Sequence, residues 1–171
     1  MAKSQLLENA QAISIIEPID LTAGANSGDW VSMANYHRCL FLIAKGAGGT
    51  AGQDPTITLQ EATAAAGTGA QNLVKIDNVY SKQAATSLAA VGQFTVVSQT
   101  AAATYTDAAL AEEAGLIGIE VLDTHLSDGF DFVTVNIADP GATNSQLGTV
   151  IAILYEPRYG SKASSMAAAI A

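Results

Sequence analysis

The chain reads as an all-β protein: an antiparallel, jelly-roll-like β-sandwich with about nine strands, one short helix and extended N- and C-terminal arms. Three observations predict this. Apolar residues either alternate with polar ones or gather in short runs, as in Thr56-Ile57-Thr58-Leu59-Gln60 and Cys39-Leu40-Phe41-Leu42-Ile43-Ala44. Gly, Asp, Asn and Pro punctuate the sequence at short intervals with turn signals. Helical signals are thin, and the best of them spans about two turns, which would be marginal alone.

In chain order the strands are expected at 13–21, 29–33, 39–44, 56–60, 73–79, 94–98, 116–122, 130–137 and 149–155. The segment 130–137 alternates most cleanly. It sets Phe132, Thr134 and Asn136 on one face and Val133, Val135 and Ile137 on the other. Asp128-Gly129 ahead of it is a hairpin signal that would join it to the strand at 116–122. The Gly/Ala/Thr stretch from Gly46 to Gly52, followed by Asp54-Pro55, is expected to be a soft hairpin loop between the strands at 39–44 and 56–60. The helix is expected over 107–115, where Asp107 can cap and Gly115 can terminate. Ser87-Leu88-Ala89-Ala90-Val91 could form one further turn. Residues 1–12 and 158–171 read as arms on a sandwich domain at 13–157.

Composition bounds the function. Of 171 residues, 49 % are apolar but only 13 % are charged, about half the usual charged share of a free soluble domain. Such a surface suits a subunit of a larger assembly, and also some secreted β-proteins. The formal net charge is -9, and no Lys or Arg lies between Lys82 and Arg158, a span holding Asp107, Glu112, Glu113, Glu120, Asp123, Asp128, Asp131 and Asp139. That argues against direct nucleic-acid binding, which needs cations to displace counterions, and against an anionic membrane surface. The lone Cys39 sits inside an apolar run and reads as a small buried hydrophobe. The first ten residues lack a signal-peptide core, so synthesis and first folding are expected in a cytoplasm.

Candidate chemistry is thin. The glycines of 46–52 follow Lys45 and precede a strand, so no helix N-terminus is offered to a phosphate. Asp123, His125, Asp128 and Asp131 bring carboxylates and one imidazole together, but not at calcium-loop spacing, and the turn at Asp128-Gly129 explains part of the pattern. Glu112 and Glu113 are sequence neighbours and would diverge on a helix. We therefore expect no enzyme, no catalytic residue, no cofactor and no metal site. Trp30, after Asn26-Ser27-Gly28-Asp29, reads as core or, if exposed, as an interface or sugar platform. Tyr155-Glu156-Pro157-Arg158-Tyr159 closes the last strand, with Arg158 placed to stack or pair.

The phrase Gly28-Asp29-Trp30-Val31-Ser32-Met33-Ala34-Asn35-Tyr36, the strand and Gly-rich loop after it, Thr56 to Thr63, and the closing Val150 to Tyr159 resemble small structural proteins of tailed bacteriophages. The resemblance implies a virion component of head decoration or minor capsid type, β-rich and often trimeric. Its partners would be the major capsid protein or other virion subunits, met by a homo-oligomer, with a trimer favoured. Localisation would be the virion, assembled in the host cytoplasm. The contact candidates are Trp30, Gly48, Gly49, Asp54, Tyr155, Arg158 and Tyr159. Two rivals stand beside it: a tail-tube or head–tail joining subunit, and a carbohydrate- or receptor-binding β-module.

Overall fold

In the computed structural model, residues 6–48, 50–84, 89, 92–108, 112–141 and 143–159 are described. A single α-helical turn, α1 (Leu6–Asn9), leads into β1 (Ala10–Asp20). There follow β2 (Asn26–Ser27), β3 (Val31–Ser32), β4 (Tyr36–Lys45), β5 (Thr56–Ala62) and β6 (Gln71–Asn72). The chain continues with β7 (Ile76–Ala84), β8 (Thr95–Ala102), β9 (Thr104–Thr106) and β10 (Ala114–Leu122), then a 3-10 turn at Asp123–His125, β11 (Phe132–Ile137) and β12 (Leu147–Pro157).

The protein is an all-β antiparallel sandwich. One sheet runs β1-β12-β4-β10-β7-β8; the other runs β2-β11-β5-β6, with β3 also on β11 and β9 also on β5. The order has a simple origin. β1 pairs with β12, β2 with β11, β4 with β10 and β5 with β6, as the legs of one long antiparallel ribbon. That ribbon is wound so that β12 lies beside β4 and β11 beside β5. This is jelly-roll winding. The β7–β8 hairpin is added beyond β10, widening the first sheet on that side.

The core lies where the two sheets face each other. β4 contributes Cys39, Phe41 and Ile43, β10 contributes Ile117, Ile119 and Val121, and β12 contributes Val150, Ala152 and Leu154. They meet Ile57 and Leu59 of β5 and the apolar face of β11, Val133, Val135 and Ile137. Cys39 is fully buried, as its apolar run predicts, and burial drives its thiol far above the usual range.

Each expected strand has a counterpart, with short β2, β6 and β9 added. Other expectations need correction. Asp128-Gly129 does form a turn, with Gly129 at φ 82°, but not a hairpin, because β10 and β11 belong to different sheets. The stretch 46–52 likewise carries the chain from one sheet to the other. A hairpin signal encodes a local reversal, and winding the ribbon turns local reversals into crossovers. The helix expected over 107–115 does not hold its C-terminal end. Ala114 and Gly115 are ladder residues opposite Ala84 and Lys45, and strand pairing outweighs the slight helical stability of two turns. Residues 109–111 lie outside the described ones, as do all of 87–91 except Ala89. Among the described residues, the one α-helical turn lies in the expected N-terminal arm. Strand β1 begins at Ala10 rather than 13, because β12 extends to Tyr155 and offers it a partner. Of the C-terminal arm only Arg158 and Tyr159 are described.

Phe41 and Leu42 are neighbours on β4 with opposite fates: the first is buried, the second half-exposed on the outer side. Urea unfolding of Phe41→Ala should show a loss of about 3–5 kcal/mol. For Leu42→Ala, which opens no enclosed cavity within the chain, we expect about 1 kcal/mol when both variants are unfolded at nanomolar protein concentration. Equal losses would contradict this assignment of faces.

Candidate interaction surface

A strand covered on one side alternates; a strand covered on both sides is apolar throughout. β4, β10 and β12 read almost without alternation, yet only one side of their sheet meets the core. Antiparallel partners share a face, so the register names the outer residues. Leu40 stands beside Ile153 and Glu120, and Leu42 beside Ile151 and Gly118. Gly118 stands beside Tyr80, and Tyr80 beside Val96. With Leu116 and Phe94 these form a continuous apolar field on the outside of the six-stranded sheet. Tyr80, Phe94 and Val96 are 39 %, 43 % and 53 % exposed. A shallow groove of about 380 Å³ runs over Gly118, walled by Leu40, Leu42 and Leu116 on one side and Tyr80 and Phe94 on the other.

Charge enters this field only at its margins. At one end Arg38 donates from NH1 to Glu120 at 2.9 Å and from Nε to Glu156 at 3.1 Å. The Tyr155 hydroxyl donates to the same Glu120 carboxylate. Burial alone would raise the Glu120 carboxyl, but the hydrogen bonds from Tyr155 and Arg38 hold it below its usual range. Burial, and then the bond to Glu120, push the Tyr155 hydroxyl up to about 12. Glu156 reaches Arg38 from a left-handed backbone at φ 55°, unusual for a non-glycine residue. Toward the opposite end the Lys82 ammonium lies 4.5 Å from the centre of the Phe94 ring.

The candidates from the sequence do not form one site. Tyr155 belongs to the margin just described. Arg158 donates to Asp123 at 2.7 Å, and the same carboxylate oxygen lies 2.7 Å from Nδ1 of His37. Tyr159 beyond it is 73 % exposed. Gly48 and Asp54 lie past the other end of β4. Gly48, at φ 134°, leaves so little room that a Cβ there would sit 2.5 Å from the Ser145 carbonyl oxygen. Its own carbonyl accepts from Gln146 Nε2. Asp54 Oδ1 is enclosed without a hydrogen-bond partner among the described residues. Gly49 lies outside the described residues. Trp30 is half-buried rather than core, its indole against Gly67, whose φ of 73° and missing side chain admit the ring.

The group at Asp123, His125, Asp128 and Asp131 is not drawn together. Asp123 is engaged by His37 and Arg158, and among the described residues no three His, Cys, Asp or Glu side chains converge as metal ligands. The turn around Asp128 is pinned instead by Glu61, a buried carboxylate that accepts from the Ser127 amide at 2.8 Å, the Ser127 hydroxyl at 2.6 Å and Gln71 at 2.7 Å. The outer face was the residue set that motif reasoning passed over. Its signal was present in the unbroken apolar runs at 39–44 and 150–154, which alternation-based reading treats as plain core.

No protein-family model matches the chain, and neither does any curated protein. Among solved structures, the chain aligns over 90 % of its length with a family two carbohydrate esterase from Cellvibrio japonicus, at 11 % identity and a TM-score of 0.26, and spans 36 % of that chain. It also aligns with a chain of Broad Bean Stain Virus at 8 % identity and a TM-score of 0.18, covering 90 % of each. Likenesses of this size carry no argument about either fold or function.

Lys45, at the end of β4 where the chain leaves for the other sheet, is 3 % exposed. Its ammonium donates to the carbonyl of Glu113 at 2.5 Å and of Gly46 at 3.2 Å. Burial lowers its pKa from 10.5 to about 8, against the pull of Asp54 and Glu113. Between these values the unfolded chain binds more protons than the folded one, so this group makes stability rise with pH. The buried Cys39 thiol acts in the opposite direction, but equally in wild type and a Lys45 variant. Urea midpoints taken from about pH 8 to 10 should therefore gain less with pH in Lys45→Met than in wild type. Parallel pH profiles would contradict the depressed Lys45.

Proposed function

We propose that this chain is a structural virion protein, a head decoration or cement subunit of a tailed bacteriophage that binds the outer face of the shell and stabilises it as a homo-oligomer. The observation that supports it best is the apolar outer face of β12, β4, β10, β7 and β8, which no described residue covers. An apolar field this continuous on a soluble sandwich reads as a contact for protein. Each contact of this kind contributes roughly 25 cal/mol per Å² of apolar area before ordering costs, and a repeating shell multiplies weak contacts by avidity. Jelly rolls recur in viral capsid and lectin domains; that is an analogy of fold, and fold alone does not assign function.

A carbohydrate-binding module is the second reading, favoured by one feature: Tyr80 and Phe94 flank the groove as aromatic rings could flank a sugar. A tail-tube or joining subunit is the third. Light scattering and negative-stain images of one purified sample separate them. A small closed oligomer is the expected outcome. Rings or long tubes would move the tail subunit to first place. A melting temperature that rises on adding glycans would favour the sugar module.

A further inference from the structure

We infer that the outer face of the six-stranded sheet packs against the same face of a second copy, about a twofold axis that runs along β4. The inference rests on the reading of this face as a subunit contact and names its occupant.

Register supplies the first argument. Leu42 is the partner of Ile151 on one side and of Gly118 on the other. A twofold lying between two stacked sheets and along β4 exchanges left for right at constant height. It therefore sets the second copy's Ile151 over Gly118, where the absent side chain leaves the groove. The protrusion and the recess that would receive it lie on one surface, either side of β4, and an isologous contact needs such self-complementarity. Sheets stacked face to face stand about 10 Å apart, which side chains of this size fill.

Charge supplies the second. The chain is net -9, so most approaches of one copy to another are repulsive. Around this face Arg38 and Lys82 balance Glu120 and Glu156. A neutral, largely apolar surface is the one on which two identical acidic molecules can meet.

Area supplies the third. Five strands spaced about 4.8 Å apart, each about seven residues of about 3.4 Å long, span about 570 Å² in plan. With side-chain relief this approaches the roughly 800 Å² per partner of a stable interface.

Sedimentation of the full chain across a dilution series tests the inference. Wild type should be a dimer, or a multiple of two, at micromolar concentration. Leu42→Glu places two carboxylates together at the axis and should sediment as a monomer with unchanged circular dichroism. So should Leu42→Lys. An equimolar mixture of the two should recover the dimer, because the twofold sets position 42 against itself. Asn72→Glu, exposed on the other sheet, should leave the mass unchanged. A wild-type monomer at about 100 µM, a trimer as the family resemblance implies, or a mixture that stays monomeric would overturn the twofold. A monomer or trimer that forms no tubes and gains no stability from glycans would leave the decoration reading standing. Tubes or glycan stabilisation would remove that reading whatever the mass.

Discussion

Strand β4 is the constraint on which the rest of the structure depends. It is the third strand of the wide sheet, flanked by β12 and β10, and eight of its ten residues, Arg38 to Lys45, carry ladder partners on both sides. Its inward residues, Cys39, Phe41 and Ile43, sit in the core against the second sheet. Its outward residues, Leu40, Leu42 and Ala44, are no less apolar and have no layer over them among the described residues. A strand that packs on both sides implies something on both sides. One side is occupied by the protein's own second sheet. The other is the side on which the proposed contact with a second copy is placed.

Winding a ribbon into a jelly roll forces crossovers at the ends of the strands, and crossovers strand backbone groups away from ladders. The buried polar residues answer this. Lys45 caps carbonyls where β4 leaves for the other sheet, and Glu61 gathers the amide and hydroxyl of Ser127 where the chain approaches β11. Asp20 accepts from the amides of Thr22 and Gln146 and from the Thr22 hydroxyl, tying the end of β1 to the start of β12. A hydrogen bond from the Ser145 side chain, and then those bonds, hold its carboxyl well below the usual range. Each of these residues holds a crossover.

Much of the fold was legible because alternation and turn chemistry are local. The strand at β11 followed from its two faces, and Cys39 from its apolar neighbours. What alternation does not encode is which strand pairs with which. Asp128-Gly129 and the glycines of 46–52 promise reversals, and whether a reversal stays within a sheet is decided by the winding of the whole ribbon. The helix expected over 107–115 loses its C-terminal end for a related reason: the ladder offered by β4 and β7 reaches Ala114 and Gly115 from residues distant in sequence. The candidate surface was less legible. Trp30, Gly48, Asp54 and Tyr155 attract attention as single residues, whereas a face is a property of register. Only once Leu42 is set between Ile151 and Gly118 do ordinary aliphatic residues become a surface.

Hydroxyl-radical footprinting of wild type from nanomolar to high micromolar concentration tests the central claim most directly, since it reads side-chain exposure residue by residue. As the protein associates, oxidation of Leu40, Leu42, Tyr80 and Ile151 should fall together, while Val74, exposed between β6 and β7, stays constant. Labelling of the outer face that does not change with concentration would contradict the claim that this face is where copies of the chain meet.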